Sequence, residues 1–295
     1  METALAIKTK GVGKLFKNFE ALKDISISIN KGEVYGFIGR NGAGKTTFMR
    51  MLCGLMRPSS GSIEIFGHKP DSTSINSCNR KIGFLPQNVR FKDNSSAEEI
   101  IKFFSKINHG DLKQSLNLAK ELEIDTKRNV RDLSPGNQRK LQLLSVIIGN
   151  PDLLILDEPT VGLDPMAVQQ MREIIRKVNK AGCTVFISSH ILSELDNLCE
   201  KVAVIEKGEI LFQGKYEIVY EIEIEGERRY ISSITDVIKQ VEYDDKESKL
   251  YARIEKDQIP ELLERLYKEN IKVFSVKPQS LEYIYNSFVG GSFNG

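Results

Sequence analysis

The sequence predicts an α/β fold followed by a small α+β domain, and three observations carry that reading. Short, wholly apolar runs stop at polar or small residues, as in Val34-Tyr35-Gly36-Phe37-Ile38-Gly39 and Leu153-Leu154-Ile155-Leu156-Asp157. Helical periodicity fills residues 95–149 between them. Near Gly214-Lys215 the pattern changes to alternating segments around one amphipathic helix. A run with no polar alternation suits a strand buried on both faces, and such strands belong to parallel sheets covered by helices.

The elements follow in order. The first two dozen residues alternate loosely. Ile25-Ser26-Ile27-Ser28-Ile29 alternates strictly and predicts a strand with one buried face. The run at 34–39 predicts a buried strand entering a tight turn, and residues 45–55 predict a helix ended by Gly54 and Pro58. Residues 62–66 and 82–85 read as strands. Ser96 and Glu99 have capping-box spacing, and Ile100, Ile101, Phe103, Phe104 and Ile107 form an apolar stripe on the helix they open. A second helix is predicted over about 111–122 and a third after Pro135. Buried strands return at 153–156 and 184–188, and residues 202–206 and 209–213 predict a hairpin turning at Lys207-Gly208.

Past the boundary, the order is strand (216–225), helix (about 232–240), strand, charged turn (244–248), strand (250–255), helix, strand (271–276). That order suits a small split βαβ sandwich. Ile259, Leu262, Leu263, Leu266 and Tyr267 are expected on one face of its second helix. The expected organisation is residues 1–214 with a helical subdomain at about 88–150, then 215–290, then a loose tail at 291–295.

Composition narrows the class. Forty-two basic residues stand against forty acidic ones, so charge gives no reason to expect a nucleic-acid partner. The N-terminal residues have no continuous apolar core and do not read as a secretory leader. The most apolar stretch, 141–156, is interrupted by Gln142, Ser145, Asn150, Pro151 and Asp152 and fails as a membrane span. The four cysteines, Cys53, Cys78, Cys183 and Cys199, are scattered without metal-ligand spacing and read as reduced packing residues.

Two segments carry chemistry. Gly39-Arg40-Asn41-Gly42-Ala43-Gly44-Lys45-Thr46 fits GxxxxGK[ST] between a predicted strand and a predicted helix. Its glycines let backbone N–H groups turn inward onto phosphate oxygens, and the helix, through Thr46 and Thr47, offers its positive end to the same anion. Lys45 can reach the β- and γ-phosphates of ATP, and the Thr46 hydroxyl can ligate Mg²⁺. The apolar run at 153–156 ends in Asp157 and Glu158. Asp157 suits a magnesium contact, and Glu158 can orient or polarise an attacking water. The core is therefore expected to be a P-loop NTPase.

Asp132-Leu133-Ser134-Pro135-Gly136-Asn137-Gln138 resembles the LSGGQ signature of the ABC (ATP-binding cassette) ATPases, and it lies upstream of the Asp157 strand as in that family. Other elements match in order: Gln87 resembles the Q-loop glutamine, Gly162-Leu163-Asp164-Pro165 the D-loop, and His190 the switch histidine. Phe16 stands where the family keeps an aromatic that stacks on adenine. The resemblance covers roughly residues 5–214. It implies a cassette with an antiparallel β subdomain and a helical subdomain beside the core. It assigns catalysis to Glu158, His190 and Gln87, and magnesium to Thr46, Gln87 and Asp157. Nucleotide contacts fall to Phe16, Gly39, Asn41, Gly42, Ala43, Gly44, Lys45, Thr46 and Thr47, with Ser134, Gly136 and Asp164 acting on ATP held by the opposite chain. Two departures stand out: Pro135 replaces the first glycine of the signature pair and Asn137 its glutamine.

The resemblance further implies two cassettes closing head to tail on two ATP. The chain has one copy of each motif, so a second ATPase subunit is needed, most simply an identical one. Closure would drive a separate integral membrane permease, with the chain in the cytoplasm, peripheral on the inner face of the cell membrane. Residues 216–290, with Gln279-Ser280-Leu281-Glu282-Tyr283-Ile284-Tyr285, resemble the domain appended to ATPases of prokaryotic type-two ABC exporters, which makes export the expected direction. The alternative is a soluble ABC ATPase acting on ribosomes or DNA. Such proteins carry two cassettes in one chain or a long coiled-coil insertion, and neither pattern occurs in this sequence.

Overall fold

The computed structural model describes residues 4–70, 81–191, 194, 195, 198–215, 219–225, 240–244, 249–255 and 258–278. The chain divides into two compact units, Met1–Lys215 and Tyr216–Gly295.

The first unit holds two sheets. The smaller is antiparallel and built on β1 (Leu5–Phe16), which pairs with β2 (Phe19–Ile25), β3 (Ser28–Asn30) and β5 (Ser60–Ile65). The strict alternation at 25–29 holds in burial, since Ile25, Ile27 and Ile29 are all buried. It does not form one strand, because the chain leaves the β2 ladder at Ile25 and rejoins β1 as β3 at Ser28. Thr9 bridges the break, donating its hydroxyl to Ile25 O at 3.1 Å and accepting from Ile27 N at 2.8 Å.

The larger sheet has the order β10-β9-β4-β8-β7-β6. Its strands are β4 (Val34–Ile38), β6 (Ile82–Leu85), β7 (Leu153–Asp157), β8 (Thr184–Ser189), β9 (Lys201–Glu206) and β10 (Glu209–Lys215). All pairs are parallel except β9 with β10, whose turn holds Lys207 at φ 48° and Gly208 at φ 82°. Two consecutive positive φ values are what a tight two-residue hairpin requires. Every residue of β4, β7 and β8 is buried, which explains their unbroken apolar runs.

Helix α1 (Lys45–Leu52) covers one face of this sheet, its Phe48 ring 5.2 Å from Phe37 and 6.0 Å from Phe186. The sequence suggested a helix to residue 55, but Gly54 at φ 69° closes it sooner. Gly54 N bonds Met51 O at 3.0 Å and Leu55 N bonds Arg50 O at 2.9 Å, the paired backward bonds of a Schellman stop. The helical region contains α2 (Ala97–Ile107), α3 (Leu112–Glu121) and α4 (Pro135–Ile147), and α5 (Pro165–Lys180) follows β7. The Ser96–Glu99 capping box is present in both directions. The apolar stripe on α2 is covered only along one edge: Ile101 is buried, while Phe103 and Ile107 are more than half exposed.

In the second unit, β11 (Val219–Glu225), β12 (Gln240–Asp244), β13 (Lys249–Glu255) and β14 (Val273–Pro278) pair antiparallel in the order β12-β13-β11-β14. The first strand lies between the third and fourth, as a split βαβ arrangement requires. Helix α6 (Ile259–Lys268) buries Leu262 and Leu266. Tyr267 does not share that face and is 83% exposed, since a residue next to Leu266 is turned about 100° away on a helix. Gln240 opens β12 rather than ending a helix. The predicted helix at 232–239, the turn at 245–248, the segment 279–285 and the tail at 291–295 lie outside the described residues.

Candidate active site

The parallel sheet delivers the site. Strand β4 ends at Ile38, and the next residue, Gly39, bonds Ser189 O through its N at 3.3 Å. A Cβ there would lie 2.4 Å from Ile205 O, so only glycine lets the loop leave the sheet at this point. Gly42 and Gly44 have φ of 86° and 111°, and Gly44 is the N-cap of α1 with no side-chain cap. A Cβ on Gly44 would meet Leu22 Cδ2 at 2.7 Å and Ala21 O at 2.8 Å. Ala43 is buried, and its carbonyl accepts from Gly208 N at 3.1 Å. The loop is therefore seated on β2 and on the β9–β10 turn. The amides of Lys45, Thr46 and Thr47 open the helix without a capping side chain, which is the form of an anion cradle.

Lys45 is buried, and its ammonium curls back onto Gly39 O at 2.5 Å and Arg40 O at 3.1 Å. It also lies 3.0 Å from Glu158 Oε1. That oxygen is buried with no hydrogen bond of acceptable angle, so the contact is an ion pair by distance alone. Glu158 Oε2 meets His190 Nδ1 at 2.6 Å. A carboxylate only accepts, so Nδ1 carries the hydrogen of this bond. Thr46 donates to Asp157 Oδ2 at 2.7 Å, and Ser188 donates to Asp157 Oδ1 at 2.9 Å. Hydroxyl and carboxylate oxygens held this close are the hard donors that magnesium accepts. Lys45, Thr46, Asp157, Glu158 and His190, drawn from across residues 45–190, thus converge at the carboxyl ends of β4, β7 and β8.

The remaining sequence-derived residues are arranged around this cluster. Phe16 ends β1 opposite Phe19, with its ring 41% exposed and Lys14 Nζ 5.2 Å from the ring centre. An exposed aromatic face at a strand end can stack on a planar base. The hairpin that carries it continues into the β2 residues beneath Gly44. Asn41 is exposed at the tip of the loop. Gln87 follows β6, and its carbonyl accepts from Arg139 Nη1 at 3.1 Å, while no hydrogen bond ties its amide to Thr46 or Asp157. Ser134 and Pro135 are exposed, and Gly136 is half-buried. Ser134 caps α4, its Oγ accepting from Asn137 N at 3.3 Å. Pro135 occupies the first helical position, where the missing N–H has no intrahelical partner to lose. Asp164 caps α5, accepting from Ala167 N at 2.9 Å.

The sequence matches the ABC transporter family over residues 22–161. It is 39% identical over 209 residues to the bacitracin transport ATP-binding protein BcrA of Bacillus licheniformis, spanning 70% of this chain and 68% of that one. The chain belongs to the ABC transporter ATP-binding proteins. It is also 34% identical over 225 residues to the Nod factor export ATP-binding protein I of Burkholderia lata, covering 74% of this chain and 73% of that one. An uncharacterised ABC transporter ATP-binding protein of Bacillus subtilis, YhcH, matches at 30% over 94% of this chain and 92% of its own, so that relative shares the second unit as well. Among solved structures, a nucleotide-free ATP-binding cassette from an ABC transporter shares the fold with a TM-score of 0.64, at 21% identity over 72% of this chain and 92% of that one. The protein is thus an ATPase subunit of an ABC transporter with the α/β cassette fold. No helix among the described residues is long and apolar enough to cross a membrane.

Three residues of the site were not singled out in the sequence, and a fourth, Gln138, was noted only as the end of the signature segment. Ser188 joins Asp157 to the Glu158 amide, whose N–H it accepts at 3.1 Å. Glu194 accepts from Ser189 Oγ at 3.0 Å and from the Thr160 hydroxyl, linking the ends of β7 and β8. Gln138 donates to Val130 O at 3.0 Å and Leu133 O at 3.1 Å, bracing the signature turn. Arg139, buried on α4, reaches the carbonyls beyond β6 and β7. Ser188 had a usable signal, a second hydroxyl close before His190 at a buried strand end. Glu194 and Arg139 carry no local mark in the sequence that separates them from solvated charged side chains.

Proposed function

We propose that residues 1–214 form one complete half-site for magnesium-dependent ATP hydrolysis, and that two chains close head to tail on two ATP to drive a separate integral membrane permease. The observation that carries this is the chain of contacts from buried Lys45 through buried Glu158 to exposed His190, beside the Thr46–Asp157 pair at the open N-terminus of α1. In this reading the loop from Gly39 through Thr47 binds the phosphates, and Phe16 stacks on the adenine. Lys45 leaves Glu158 and the Gly39 carbonyl for the β- and γ-phosphate oxygens, where it has stronger acceptors. That movement frees the Glu158 carboxylate to hold and deprotonate the attacking water. His190 keeps Glu158 oriented through Nδ1 and retains Nε2 for a further contact. Thr46, Asp157 and Gln87 would hold Mg²⁺, which supplies charge neutralisation on the β- and γ-oxygens.

Ser134, Gly136 and Asp164 would act on the nucleotide of the opposite chain, and the exposure of Ser134 at a helix start favours that use. Residues 215–290 form a separate appended domain in this reading. Export is the favoured direction, because relatives are named for bacitracin transport, lantibiotic transport and Nod factor export. The chain would then work in the cytoplasm, peripheral on the inner membrane face.

The test is a hydrolysis assay on the full chain with and without Mg²⁺, together with affinity capture from solubilised membranes. The expected result is magnesium-dependent phosphate release with a more than linear dependence on protein concentration, and an integral membrane polypeptide in the captured complex. Linear dependence with no membrane polypeptide would contradict the dimeric transporter reading.

A further inference from the structure

Arg139 is the most highly bonded side chain near the site, and none of the phosphate-binding motifs includes it. It is 7% exposed. Its Nε donates to Pro159 O at 2.8 Å. Nη1 faces Pro86 O at 3.3 Å, Gln87 O at 3.1 Å and Gln142 Oε1 at 2.9 Å. Nη2 donates to Glu158 O at 2.8 Å and faces Asp157 O at 3.3 Å. Five main-chain carbonyls from two adjacent parallel strand ends therefore meet one guanidinium. Burial pushes the Arg139 pKa down to about 10, with Asp157 and Glu158 opposing that shift, so the group stays cationic at neutral pH.

The backbone it grips is unusual. Glu158 has φ 50°, a left-handed conformation that residues with a Cβ avoid. Ser188 Oγ takes the Glu158 N–H at 3.1 Å, and Arg139 Nη2 takes its carbonyl. The two contacts hold both sides of the residue, and the φ they preserve aims its carboxylate at Lys45 and His190. Arg139 itself is fixed by α4, whose first residue Pro135 follows the exposed Ser134 cap. Gln142, one turn on, holds Nη1 with its Oε1 and donates its amide to Val89 O at 2.9 Å, beyond Gln87.

We infer that Arg139 is a positioning residue: its fork ties the signature helix to the Gln87 loop and fixes the backbone of Glu158, so that engagement of Ser134 is transmitted to the catalytic carboxylate. This rests on Glu158 being the residue that activates water. A lysine at 139 keeps the charge but has a single ammonium, which cannot span both strand ends. No contact of Arg139 reaches the phosphate loop, so nucleotide affinity should be unaffected.

The experiment compares Arg139→Lys, Glu158→Gln and the double variant in the full chain. It measures affinity for a fluorescent ATP analogue, thermal midpoint, kcat and KM, and single-turnover hydrolysis with enzyme in excess. The expected result for Arg139→Lys is a loss of kcat of tenfold or more, with KM and analogue affinity within twofold and a midpoint well above the assay temperature. In the double variant, hydrolysis should be no slower than in Glu158→Gln, because the two changes act on one step. Wild-type kcat in a folded Arg139→Lys, or full additivity with Glu158→Gln, would overturn the inference. If Arg139→Lys does not fold, Gln142→Leu removes one anchor of the fork and should lower kcat at constant KM; an unchanged kcat there would overturn it equally. Near-normal turnover by Glu158→Gln alone would instead overturn the assignment of Glu158, so the two failures are distinguishable.

Discussion

The phosphate loop and the signature turn both sit at the N-terminus of a helix, yet the chain treats them differently. The phosphate loop is backed from beneath at three points: Gly39 against Ile205, Ala43 against the Gly208 turn and Gly44 against Leu22, with Lys45 buried under the loop. The signature turn is braced from behind by Gln138 and Arg139, while Ser134 and Pro135 face outward. In the proposed reading, one region receives a ligand into a seat built by its own chain, and the other presents a prepared edge. The difference explains why a departure from the family pattern is tolerated at Pro135 but would not be at Gly44. At Pro135 the missing N–H is an orphan of the helix start, whereas a side chain at Gly44 would collide with main chain.

The comparison can be broken in three places. The largest effect is expected from Glu158→Gln, which keeps the shape of the buried cluster and removes its base. Turnover should fall by about 10²- to 10⁴-fold with nucleotide affinity nearly unchanged. Phosphate release and titration of a fluorescent ATP analogue measure the two separately. Lys45→Ala attacks the phosphate loop itself. It deletes a charge-assisted contact of about 1.5–3 kcal/mol, so affinity should weaken by roughly 10- to 100-fold in the same titration. Equal affinities in mutant and wild type would mean that the loop does not hold the phosphates. The smallest effect belongs to Pro135→Gly, which restores the usual signature pair. It should lower stability by about 0.4–1 kcal/mol through the freer unfolded chain and leave kcat within about twofold, read by denaturant unfolding and a steady-state assay. A large rise in kcat would show that Pro135 limits the signature, contrary to its role as a preformed first helical residue.

Sequence reasoning reached what local spacing encodes. The buried runs at 34–39 and 153–157 became β4 and β7, and the glycine pattern between Gly39 and Gly44 was readable because positive φ and close approach both demand glycine. The residues proposed to hold phosphate and magnesium were picked out as types at fixed intervals, and their convergence follows from the parallel order β4-β8-β7. What escaped depends on contacts far apart in sequence. Arg139 meets Pro86 and Pro159, 53 and 20 positions away, and nothing in an α-helical stretch distinguishes a buried cation from a solvated one. Glu194 is hidden for the same reason, 34 positions from the Thr160 hydroxyl it accepts. The split of the 25–29 alternation into β2 and β3 was also invisible, because burial keeps its period of two while the hydrogen-bond partner changes.

In the proposed dimer, the exposed signature completes a site on another chain. The most direct measurement is the oligomeric state of Glu158→Gln in ATP and Mg²⁺, by sedimentation, with and without Ser134→Arg. An ATP-dependent dimer is expected for Glu158→Gln. Adding Ser134→Arg is expected to abolish the dimer without weakening binding of the fluorescent ATP analogue to the monomer. An ATP-dependent dimer that survives Ser134→Arg, together with wild-type hydrolysis by the Ser134→Arg single variant, would contradict the proposed dimer.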